Sequence, residues 1–90
     1  MRTRFFDIAQ RELDEAIEYY NYESQGLGNS FLMETLNATD RLEKFPEAWP
    51  RYSERTRKCP VHGFPYGIIY MIRSEEIFVV AIANMHRKPA

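Results

Sequence analysis

Ninety residues with 44% hydrophobic content are enough for one modest core, so residues 1–90 are expected to form a single domain. The longest apolar run, Ile77 to Ala83, is far below the roughly 20 residues needed to cross a bilayer, and the N-terminal MRTRFFDIAQ carries no hydrophobic signal segment, which together predict a cytoplasmic chain with no membrane partner. A lone cysteine, Cys59, cannot close an internal disulfide, as suits a reducing compartment.

The formal net charge of −1 hides an asymmetry. Residues 1–50 hold five Lys or Arg against ten Asp or Glu, a net of −5, whereas residues 51–90 hold seven against three, a net of +4. Two readings follow: a solvated mixed surface, or a surface on which an anionic partner meets the C-terminal half, where Arg55, Arg57, Lys58, Arg87 and Lys88 lie.

In chain order, Arg4 to Ile8 is a short, partly apolar segment suited to an edge or joining strand. From Ala9 the period becomes helical, with Ala9, Leu13, Ala16, Ile17 and Tyr20 on one stripe and Arg11, Glu12, Asp14, Glu15 and Glu18 facing outward. Gly26 supplies a left-handed C-terminal cap, with Leu27 folding back onto the helix; capping suits Gly26 and Gly28 better than a phosphate loop, since no strand precedes them and no Lys follows. A second helix is predicted from Asn29 to Phe45, carrying Phe31, Thr35, Ala38, Leu42 and Phe45 beside Leu32, Leu36 and Thr39, and Pro46 stops it. So short a connection forces the helices into an antiparallel hairpin.

Residues 46–55 carry two prolines and no periodicity, a loop in which Trp49 is expected to cover the end of the core, partner contact being the alternative. Three strand-like pieces follow: Arg55 to Cys59, Tyr66 to Arg73, and Glu76 to Asn84, the last two close enough to form a hairpin. The uninterrupted apolar run in the final strand predicts burial on both of its faces, and Pro89 releases the chain from the sheet. The order β-α-α-β-β-β defines an α+β fold: an N-terminal strand and a helical hairpin packed on one face of a small, mainly antiparallel sheet whose strand order is open.

With those elements in place, the run LDEAIEYYNYESQGLGNSFLMETL, the FPE closing the second helix, VHGFPYGIIYMI and the terminal AIANMHRKP resemble the ParE-like toxins of the RelE/ParE superfamily, over nearly the whole chain. The resemblance implies the same layout and a bacterial toxin of a type II toxin–antitoxin (plasmid stabilisation) module, neutralised by a cognate antitoxin. For the free toxin it implies inhibition of DNA gyrase by binding or, as the alternative, RelE-like cleavage of mRNA on the ribosome. A non-toxic relative that keeps only antitoxin binding is the third reading, and assembly as a homodimer or as a toxin–antitoxin hetero-oligomer fits each. Two positions differ from the family pattern: Asn84 stands where a His usually follows the AIA-like strand, and Ala90 is reached without the Tyr-Trp often found after the proline.

Residue by residue, RNA cleavage through the 2′-OH needs a base, a cation for the phosphate and an acid for the leaving oxygen. Arg57, Arg87 and Lys88 offer charge, His86 an acid or base, and Tyr70 a ring for stacking on a nucleobase. A slightly negative chain is poorly suited to an RNA-rich site, which favours protein binding over an enzyme. The expected partner-binding set is Arg57, Lys58, Asn84, His86, Arg87 and Lys88, because a rigid strand that ends in converging donors holds a carboxylate well. Tyr66 and Tyr70 also suit plain sheet packing, Tyr20 the core, and Tyr19 and Tyr22 a flank for a partner to cover. Cys59 and His62 have a two-residue spacing found in zinc sites but no second ligand pair, so no metal is expected, nor any cofactor.

Overall fold

The computed structural model describes residues 1–86. The chain runs β1 (Arg2–Phe5), α1 (Asp7–Glu23), α2 (Leu27–Lys44), β2 (Arg57–Pro60), β3 (Tyr66–Arg73) and β4 (Glu76–Asn84), the order and α+β class that periodicity predicts. The strands form one sheet ordered β1-β4-β3-β2. β1 lies parallel to β4, pairing Arg2 with Glu76 and Phe5 with Val79, so the start of the chain is fastened to its end. The other two pairings are antiparallel.

The helical stripe drives the packing. Ala9, Leu13 and Ala16 of α1 and Phe31, Ala38 and Leu42 of α2 close over Ile68, Tyr70, Ile77, Val79 and Ile82 of the sheet, and Cys59 and Val61 complete the cluster. Burying this apolar surface is the main favourable term in the fold. Trp49 packs against the same cluster from the loop, as expected of it.

Besides small shifts of α2, which begins at Leu27 and not Asn29, and of β2, which runs Arg57–Pro60 and not Arg55 to Cys59, four details differ from the sequence reading. The first strand is earlier than Arg4–Ile8, because Asp7 already belongs to α1, where its carboxylate suits the positive end of the helix. Gly26 is left-handed, at φ +84°, but as the residue that launches α2; α1 ends two residues sooner, at an extended Ser24. Glu12 does not simply face water, since its carboxylate reaches the backbone of β4.

The fourth concerns β4, which is buried on one face only. Helices cover one side of the sheet, so Ile77, Val79 and Ile82 are buried while Phe78, Val80, Ala81 and Ala83 remain partly exposed. A β-bulge explains the spacing: Ile69 pairs with Ala81 but Tyr70 with Val79, which leaves Val80 as the extra residue and flips the parity so that Ile82 turns inward.

Gly28 has a packing role that capping does not describe. A Cβ there would run into the carbonyl oxygen of Ile17 and stand 2.6 Å from Asn21 Cγ, so only glycine lets the two helices approach this closely. Its N–H donates to Asn21 Oδ1 at 2.7 Å, tying the start of α2 to the last turn of α1.

Candidate partner-binding site

The expected site residues divide by what holds them. Arg57, at the start of β2, donates from Nη1 to the carbonyls of Trp49 at 2.6 Å and Glu47 at 3.2 Å. Its guanidinium thus pins the proline-rich loop to the sheet, and the same loop pairs across the outer side of β2 through Arg51 and Arg57. Lys58, next along, has its Nζ 5.5 Å from the centre of the Tyr52 ring.

Of the two roles the sequence offers it, packing and base stacking, Tyr70 has packing in the structure. Its ring is fully buried and its hydroxyl donates to the carbonyl of Pro46 at 2.7 Å, so it presents no face on which a nucleobase could stack. Burial pushes the phenol up to about 12, against the opposing pull of the Arg57 charge.

Asn84 ends β4 with an Asx-type turn in which its Oδ1 accepts the His86 N–H at 2.9 Å, while the Met85 N–H donates to Pro65 O at 2.7 Å. His86 emerges exposed from that turn. Arg87 and Lys88 lie outside the described residues. Cys59 is buried in the core, where desolvation raises its thiol pKa against an opposing effect of Arg41, whereas His62 is exposed.

Lys58 and His86 do come together. They line a groove of about 560 Å³ whose walls are Trp49, Phe64, Tyr66 and Met85. Phe64 and Tyr66 belong to an aromatic cluster with Tyr20 and Phe31, in which Phe31 stands 5.0 Å from both rings in edge-to-face contact. Burial within this cluster raises the Tyr20 pKa, with smaller effects from Tyr66 and Tyr19. Tyr19 and Tyr22, by contrast, are 56% and 89% exposed on the far flank of α1.

Phe64 and Met85 carry no motif of their own and were not legible as site residues. The one usable signal was the FPY triplet, which packs two aromatic rings and a turn proline into three positions just before a strand.

The helical hairpin on a four-stranded sheet is the fold of a small type II toxin. The chain belongs to the family of ParE toxins of type II toxin–antitoxin systems, parDE, whose model matches residues 4–89. A solved structure of a chromosomal ParDE TA system from P. aeruginosa superposes with a TM-score of 0.83 at 16% identity, over 96% of this chain and 97% of that one, which is a likeness of fold. No curated protein sequence gives a match. Among the described residues no helix is long and apolar enough to cross a membrane.

Proposed function

We propose that this type II toxin acts in the cytoplasm by binding other proteins: a cognate antitoxin neutralises it, and the free chain inhibits DNA gyrase. The observation that carries this reading is the fate of the side chains that RNA cleavage would need. Tyr70 is buried to 0% exposure, and Arg57 is committed to two loop carbonyls. Asn84, which replaces the imidazole of the family pattern, has its carbonyl oxygen occupied in a turn. Within the described residues His86 is the one exposed acid–base group left of the candidate set, and one imidazole does not supply base, acid and phosphate cation together. A net charge of −1 supports the same reading, since entry into an RNA-rich site draws on cationic surface.

Induced expression without the antitoxin tests the target. Arrest of DNA replication before translation, with loss of supercoiling by purified gyrase in the presence of the protein, is the expected result. Ribosome-dependent cutting of mRNA by the purified chain would overturn it, and normal growth would identify a relative that has kept only antitoxin binding. Arg87→Ala with Lys88→Ala should lower toxicity, and thermal melting of the double variant should match the wild type.

A further inference from the structure

The groove beside Trp49 has a composition that limits what can occupy it. Four of its lining residues are large and apolar or aromatic, and Trp49, Phe64, Tyr66 and Met85 are each only half-buried, so they keep surface for an incoming group. Among the described residues the charged or titratable groups along it are Lys58, His86 and the Tyr66 phenol, with no Asp or Glu. The remaining lining residues are all prolines, which add no backbone N–H donor.

That last point decides the mode of binding. β2 is the outer strand of the sheet and would ordinarily invite an added strand. Here Pro60 has no N–H, and the Lys58 N–H already donates to Pro50 O at 3.3 Å as the loop lies along the strand. A partner is therefore taken up by its side chains, not by extending the sheet at this edge. The volume of about 560 Å³ lies within the roughly 300–1,000 Å³ of sites that enclose a compact group, enough for a large side chain together with its neighbours.

Lys58 is also held in place before any partner arrives. Its stem rests on Gly67, where even a Cβ would stand 3.1 Å from Lys58 Cγ, and its ammonium lies against the Tyr52 ring. A positioned cation beside an apolar pocket loses less freedom on binding than a free one.

We propose that this groove receives a segment of the antitoxin in which a large aromatic or aliphatic side chain is flanked by carboxylates, the apolar group entering between Trp49, Phe64 and Met85 and a carboxylate meeting Lys58. The proposal rests on the toxin–antitoxin reading above. Charge complementarity selects the acidic segment, and the aromatic walls supply the central anchor that dominates most interfaces.

Trp49 is the only tryptophan in the chain, so its emission reports on the groove directly. The full-length toxin is titrated with the antitoxin encoded by the adjacent reading frame, any tryptophan in that partner being replaced by phenylalanine. The expected result is a shift of Trp49 emission on binding, with affinity reduced at least about tenfold by Lys58→Glu and by Met85→Asp, and a weaker salt dependence in the Lys58 variant. Thermal melting confirms that each variant is folded; Lys58→Gln, which keeps most of the stem, serves if the reversal disturbs β2. Should the antitoxin bind and neutralise the toxin while Trp49 emission stays still and both variants bind at full strength, the groove assignment is wrong and the toxin reading survives. Failure of the wild-type chain to bind the antitoxin overturns both. Loss of self-association alone in the variants, seen by sedimentation, would give the groove to a second copy of the chain and also overturn the assignment.

Discussion

The carboxylate of Glu12, one turn into the first helix, accepts the backbone N–H of Ile82 in the last strand at 3.0 Å. β1 pairs with β4 only as far as Val79, so beyond that point β4 has no strand on this side to take its donors. Glu12 stands in for the missing strand just after the bulge at Val80. Glu12→Ala should lower stability by about 1–3 kcal/mol, the range for leaving a partly buried donor without its charged acceptor. Glu12→Gln keeps an acceptor and should recover part of the loss. Urea unfolding of the three proteins measures both, and an Ala variant as stable as wild type would mean that water replaces the carboxylate without loss.

The Tyr70 hydroxyl joins the sheet to the end of α2 through Pro46 O. Its phenol titrates at about 12 in the folded chain, above the ordinary value of about 10. A group whose folded pKa is raised favours folding fully below the unfolded value, and that contribution is lost as pH climbs from about 10 through 12. Absorbance titration should show one tyrosine that ionises late, with stability falling over that window. Tyr70→Phe keeps the ring, should cost about 1 kcal/mol at neutral pH, and should remove part of the alkaline dependence.

The two-residue turn between β3 and β4 puts both Ser74 and Glu75 at positive φ, 52° and 62°. That is the backbone of a type I′ hairpin turn, which Asn-Gly fits and Ser-Glu does not. Replacing the pair by Asn-Gly should raise stability by about 1 kcal/mol, since L-residues other than Asn and Asp are disfavoured there. Thermal melting at equal concentration checks it. No change would mean that the wild-type turn relaxes outside this geometry in solution.

Sequence patterning located the elements well where one period dominates. Tyr66–Arg73 and Glu76–Asn84 fall on the predicted bounds because β-prone residues run unbroken between turn residues. The first strand was displaced because Phe6 and Ile8 alternate with polar residues, mimicking a strand, while the helix had already begun at Asp7. The bulge at Val80 was invisible, since an apolar residue fits either face, and with it the inward turn of Ile82. Of the site, Lys58 and His86 were legible as polar groups near the sheet's end, and the packing role of Tyr70 was legible as one of two readings, since alternation alone does not say which face carries the helices. The groove needs the 46–50 loop, the FPY turn and the residues after β4 to meet, and such long-range convergence leaves no local pattern.

The approach of the two helices at Gly28 gives the sharpest test of the packing. Gly28→Ala would drive a methyl group into the Ile17 carbonyl and against Asn21, and backbone at that contact cannot move aside as the end of a flexible side chain would. The helices must part, at a cost of about 1–3 kcal/mol. Asn21→Ala removes the acceptor of the Gly28 N–H and should cost about 1 kcal/mol by itself. Since Asn21 is both the hydrogen-bond partner and part of the obstruction, the two changes share a cause, and the double variant should lose less than the sum of the singles. Denaturant unfolding of the four proteins closes the cycle. Strict additivity would mean that the clash lies wholly with Ile17 and that Asn21 serves only as an acceptor.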